Sequence, residues 1–147
     1  VAKPGLKLRP YKPGDADAFT LRGDFEQDRR AMAWDWDAGP PPGRTWALLR
    51  GAAVVGLGGG FDHGQGRWEA WAYLSDLPRR DWPRVVHLAA RVLELMTAEL
   101  GARTIEATAR ADSDGAARVL GRLGFTATGE QVRLRGGLVY NHYLRRR

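Results

Sequence analysis

Cysteine is absent from the 147 residues, which removes disulfides, thiolate metal sites and cysteine nucleophiles at once. Apolar runs of the roughly 20 residues that a bilayer-crossing helix requires are also missing. Residues 1 to 8 lack the long apolar stretch of a signal peptide, so a cytoplasmic protein with no membrane partner is expected. Histidine is scarce. His63, His87 and His142 are scattered, and no metal site is expected from them. No internal repeat and no low-complexity segment interrupts the chain. What is present has the balance of a globular protein, 44% hydrophobic and 27% charged. The length suits a single domain spanning 1–147. Lys and Arg number 23 against 17 Asp and Glu, a net charge of +6 that favours anionic partners. Charge alone does not choose among nucleic acid, a phosphate-bearing cofactor and an acidic protein surface. No base-reading motif is visible, so nucleic acid is not the expected partner. Arg145, Arg146 and Arg147 read as a solvated tail.

Hydrophobic periodicity divides the chain into short elements. "LKLRP" alternates as a strand closed by Pro13-Gly14, and Asp15 is placed to cap a helix with Ala16 and Phe19 on its apolar face. Residues 24 to 36 form a second helical pattern, and "AGPPPGR" is a loop, since three prolines supply no donors. "TWALLRG" and "AAVVGLGGGFD" read as a hairpin turning at Arg50-Gly51. Gly56, Gly58, Gly59 and Gly60 imply a bulge or a close backbone approach. "RWEAWAYLS" puts Trp68, Ala70, Ala72 and Leu74 on one face and Glu69, Trp71 and Tyr73 on the other, the pattern of a central strand.

Residues 81 to 100 are expected as a helix, with Asp81 as N-cap, Pro83 in the first turn and Gly101 at the end. Its apolar stripe runs through Trp82, Val85, Val86, Ala89, Val92, Leu93, Met96 and Leu100. "RTIEATA" is a strand with Ile105 and Ala107 inward. Asp112 or Ser113 then caps a helix carrying Ala116, Val119, Leu120 and Leu123, and a final hairpin turns at Gly136-Gly137. The order is β-α-α-β-β-β-α-β-α-β-β.

That order, together with "ARADSDGAARVLGRLGF" and its Leu123-Gly124-Phe125 turn, resembles the GNAT family of N-acetyltransferases, most closely over residues 69 to 125. "EAWAYLS" before a tryptophan-bearing helix is further similar to small phage-like and prophage-encoded GNAT proteins, some carried in virions. The resemblance implies an α/β (α+β) GNAT fold, with a mixed, mostly antiparallel sheet of about seven strands flanked by about four helices. It also implies that the fourth and fifth strands splay, and that the pantetheine arm of acetyl-CoA lies along residues 72 to 75, contacting Ala72, Leu74 and Ser75. Phosphate would then sit at the start of the helix beginning at Trp82.

Two departures from the family pattern stand out. The family's phosphate loop carries glycines, whereas "DLPRRDWPR" has none between Asp76 and Arg84; Arg79, Arg80 and Arg84 are the side chains available to bind phosphate instead. The family's thiolate-protonating tyrosine corresponds to Leu120, and its asparagine to Ser113, which can replace part of its hydrogen bonding.

Acetyl transfer to a primary amine needs a base, for which Glu69 is the candidate, against the alternative of a merely exposed strand-end carboxylate. Tyr73 is an alternative acid or a packed sheet residue. His63 reads as a solvent-facing loop residue and His87 as polar helix surface. Asp35 and Asp37 can hold an amine or simply edge a loop. Trp46 and Trp71 are expected in the core, and Trp34, Trp36 and Trp82 are the ones able to face a partner. Two functions remain open on the sequence. One is an acyltransferase that moves acetyl from acetyl-CoA to a small-molecule or protein amine in the cytoplasm. The other is a non-enzymatic GNAT-fold protein that binds other proteins, among them virion proteins, inside or on a phage particle.

Overall fold

The computed structural model describes residues 5–18 and 43–147. Seven strands form one sheet: β1 (Leu6–Pro10), β2 (Gly43–Arg50), β3 (Ala53–Gly64), β4 (Arg67–Leu74), β5 (Thr104–Arg110), β6 (Thr126–Arg133) and β7 (Val139–Arg146). Their order is β1-β2-β3-β4-β5-β7-β6, antiparallel except for the β4–β5 pair. Two α-helices flank it, α1 (Trp82–Ala98) and α2 (Asp114–Arg122). The expected α+β fold, the seven mixed strands and the central place of β4 are all present.

About four helices were expected; among the described residues there are two. The helix expected over 24–36 lies outside the described residues. Where one was expected after Asp15 the chain forms a short 3-10 turn, Asp15–Asp17, and the rest of the expected segment lies outside the described residues. Gly14, not Asp15, is the cap of that turn, and the Asp15 carboxylate does other work. It accepts two hydrogen bonds from the Arg9 guanidinium, at 2.7 and 2.9 Å, and one from the Lys12 N–H at 2.7 Å. Arg9 first, and the Lys12 N–H behind it, hold this buried carboxyl below the usual range against the opposing effect of burial.

Both helices descend on one face of the sheet. Trp68, Leu93, Met96, Ala102, Ile105, Ala107, Phe125 and Tyr143 pack into one cluster, and Leu6, Leu48, Leu74 and Leu88 into a second. Of the glycines of β3, Gly60 makes room for α1. A Cβ on Gly60 would lie 2.5 Å from Met96 Cε and 2.8 Å from Trp68 Cε3. The ladder also slips between Leu48 and Leu49, where Val55 is the extra residue. The glycine run thus marks both a close approach and a neighbouring bulge.

One helix differs from expectation at its ends, and the start of the other settles an open choice. α1 runs from Trp82 to Ala98 rather than over 81 to 100, because a 3-10 turn, Arg79–Asp81, precedes it. Asp81 already has helical angles and makes no capping hydrogen bond; its carboxylate pairs with Arg50 instead. At α2 the choice between Asp112 and Ser113 resolves to Ser113, whose Oγ accepts from Ala116 N at 3.2 Å. The helix closes through Gly124 at φ 87°, a left-handed angle that glycine adopts without Cβ strain. Phe125 N then donates to Leu120 O, and the Phe125 ring is buried in the core.

Candidate active site

β4 and β5 are paired over only three positions, Arg67↔Thr104, Trp68↔Ile105 and Glu69↔Glu106. Beyond Glu69 the two strands have no ladder between them, although β4 continues to Leu74 and β5 to Arg110. On its other edge β4 stays paired with β3 throughout, up to Gly56↔Leu74. Ser75 continues that edge by donating its N–H to Val55 O at 2.9 Å. Backbone groups alternate along a strand, so the N–H groups of Ala72 and Leu74 point away from β3, toward the gap. Ala72 is exposed there.

The gap is part of a cavity of about 900 Å³. Its walls are α1, from Trp82 to Leu93, and α2, from Ser113 to Leu123, and its floor is the parting of β4 from β5. Because the floor is open, residues from both faces of β4 reach the cavity, with Ala70, Ala72 and Leu74 from the helix side and Glu69, Trp71 and Tyr73 from the other. The lining is apolar apart from a few polar groups, and its charged side chains are Glu69, Arg79, Arg110, Arg118 and Arg122. The carboxylate sits where the seam closes. Arg79 follows β4 at the open end, and Arg118 and Arg122 stand on α2.

Most of the residues singled out in the sequence meet here. Glu69, Ala72, Tyr73, Leu74, Arg79 and Ser113 all line the cavity. Glu69 is 42% exposed at its side chain and bonds His63 Nε2 at 3.1 Å. His63 is therefore not a free loop residue; it lies at the end of β3 against Glu69 and stacks at 4.6 Å on Phe61. Tyr73 is buried, its ring 5.9 Å from that of Trp71. Glu69 and Tyr73 share a face four residues apart, which separates their backbones by about 13 Å. They cannot contact the same reacting atom without a spanning substrate or a water.

Ser113 and Ser75 each have a structural duty, the first as cap of α2 and the second in the β3 ladder. Arg84 donates to Leu6 O at 3.4 Å, and neither Arg84 nor Arg80 lines the cavity. Trp46 and Trp71, expected in the core, are half-buried and line the cavity. Trp82, expected to face a partner, packs against the Leu6, Leu48, Leu74 and Leu88 cluster and also lines it. Asp35, Asp37, Trp34 and Trp36 lie outside the described residues. Sequence reading missed Tyr140, 1% exposed on β7 and part of the lining. It missed Arg118 and Arg122 as well. Their spacing of one helical turn was the available signal, since it puts both on one side of α2.

Among the described residues no helix is long and apolar enough to cross a membrane, and no group of three side chains suited to a metal ion occurs. No family model matches the chain, and no curated protein does. Solved structures do match. An acetyltransferase of the GNAT family from Bacillus anthracis superposes with a TM-score of 0.68 at 12% identity, over 99% of this chain and 97% of its own. Ribosomal-protein-S5-alanine acetyltransferase from Vibrio fischeri gives 0.69 at 10% identity, over 99% and 95%. Spermidine/spermine N-acetyltransferase from Vibrio cholerae gives 0.66 at 13% identity, over 95% and 91%. Splayed central strands, two helices over one face and full-length superposition together identify the fold of this chain as that of the GNAT N-acetyltransferases.

Proposed function

We propose that the protein is an N-acetyltransferase that moves an acetyl group from acetyl-CoA to a primary amine. The observation that carries this reading is the seam between β4 and β5, paired only as far as Glu69 and Glu106 and open beyond, with a cavity at the opening. An extended amide-bearing arm fits such a gap, because the edge of β4 can hydrogen-bond it as a neighbouring strand would. Ala72 and Leu74 supply that edge, and the arginines of the lining suit the cofactor's anionic end. Bound acetyl-CoA supplies an activated thioester.

The chain's own residues divide the remaining work. Glu69, at the closed end of the gap and open to solvent, takes a proton through water from the acceptor's ammonium, which frees the amine to attack the thioester. The His63 ring holds the carboxylate in place. Backbone N–H groups on the open edge of β4 stabilise the carbonyl oxygen as it gains charge. With leucine at position 120, Tyr73 is the hydroxyl on β4 able to give a proton to the departing thiolate. The acceptor approaches from the face that carries Glu69; Glu106, its partner in register on β5, is paired with Arg67 at 3.3 Å, so Glu69 is the carboxylate left to meet a cationic amine.

The test is release of free CoA thiol from acetyl-CoA with a panel of amines. Spermidine and a peptide with an N-terminal alanine head it, after the substrates named for two structural neighbours. We expect amine-dependent release that falls about 100-fold or more in Glu69→Gln. No release with any amine, from protein that also fails to bind acetyl-CoA, would leave a GNAT fold serving protein contacts instead.

A further inference from the structure

Backbone donors are the usual means by which a helix start binds phosphate, and at α1 two of those donors are already spent. The 3-10 turn uses the Asp81 N–H on Pro78 O and the Trp82 N–H on Arg79 O. Pro83 has none to give. The Asp81 carboxylate adds negative charge at the same place, partly offset by its pairing with Arg50. The start of α2 is no better. Its Ala116 N–H is taken by Ser113 Oγ, and Asp114 stands in its first turn. At both helix starts some N–H groups are taken within the chain and a carboxylate stands beside the rest, which weakens each as an anion site.

Side chains are the stronger source of positive charge. Four arginines line the cavity, and Arg110 is committed to Asp112 through bonds of 3.0 and 3.1 Å. Among the described residues Arg79, Arg118 and Arg122 have no carboxylate partner, and all three are exposed. Arg79 projects from the turn before α1. Arg118 and Arg122 are one helical turn apart, on the opposite wall. Solvated arginines on a helix are ordinary; three that line one cavity without a counter-ion are a positive potential in search of an anion.

We infer that Arg118 and Arg122 on α2, facing Arg79 across the cavity, form a side-chain clamp for the phosphate-bearing end of the acyl-CoA, in place of a backbone phosphate loop. The inference rests on the acyl-CoA reading above and goes beyond it by assigning the anion to α2. Guanidinium groups bind phosphate oxygens bidentately and need no glycine in the chain beneath them, which suits a segment built of Pro78, Arg79, Arg80, Asp81 and Pro83.

The experiment is calorimetric titration of CoA into the wild-type protein, the Arg118→Gln/Arg122→Gln double variant and Arg91→Gln. Arg91 is an exposed arginine of α1 outside the cavity lining, and serves as the charge control. Far-UV circular dichroism establishes that each variant is folded. The clamp requires CoA affinity to fall by about tenfold or more in the double variant and to be unchanged in Arg91→Gln. It also requires a shallower salt dependence of CoA binding in the double variant. Equal affinity in wild type and double variant overturns the clamp and leaves the acyl-CoA reading intact. Absence of CoA binding to the wild type overturns both.

Discussion

β4 has two halves that differ in one respect, what lies on the side facing β5. From Arg67 to Glu69 it is a neighbouring strand; from Ala70 to Leu74 it is a cavity. The closed half carries a core cluster, with Trp68 and Ile105 packed against Leu93 and Met96. The open half keeps Ala72 exposed and turns backbone donors toward solvent. One strand thus spends half its length on stability and half on access, and Glu69 stands at the junction. Substitutions in the two halves should fail in different ways.

The largest expected loss of stability is at the closed end. Trp68→Ala removes a 94%-buried indole from beside Met96 and should cost about 3–5 kcal/mol, read as a lowered denaturation midpoint. A loss below about 1 kcal/mol would mean that the closed half does not carry the core. Ser113→Ala, beside the open half, removes the cap of α2 and should cost about 1 kcal/mol. If it instead abolished cofactor binding with no loss of stability, Ser113 would belong to the site and not to the helix.

Asp15 is a reference remote from both halves. Its carboxyl is held below the usual range by Arg9 and the Lys12 N–H. The folded state therefore binds this proton less readily than the unfolded chain does. The stabilisation is complete above the unfolded carboxyl value of about 4 and disappears as pH falls through the lower, folded value. Asp15→Asn should make acid unfolding less steep in that window while leaving the pH dependence of acetyl transfer near neutrality as it was. Unfolding curves from pH 2 to 6 check this.

The fold was legible in the sequence because periodicity and punctuation agreed. "RTIEATA" alternates and is a strand, and the stripe that starts at Trp82 is a helix as far as Ala98 that buries Leu88, Leu93 and Met96. Helix starts were less legible. Asp15 and Asp81 both look like caps, yet each has an arginine brought to it, Arg9 from β1 and Arg50 from β2, and an ion pair takes the carboxylate away from the backbone. A single sequence does not display such contacts when, as for Asp81, the partner is 31 residues away. The site was legible as far as β4 carries it, because strand alternation assigns each residue to a face. Trp82 was legible as part of the apolar stripe, and it packs, half-buried, against leucines of β1, β2 and β4. Arg118 and Arg122 escaped notice because nothing in the chain says that α2 walls the same cavity as α1.

The central claim, that the open half of β4 is an acyl-CoA site and not merely a gap, is tested most directly with Ala72→Trp. The indole would fill the opening from an exposed position, so stability should stay within about 0.5 kcal/mol of wild type. Acetyl-CoA titrated into both proteins by calorimetry should bind the wild type saturably and the variant about a hundredfold more weakly, or not at all. Equal binding to wild type and a folded Ala72→Trp, or no binding to the wild type, would contradict the account.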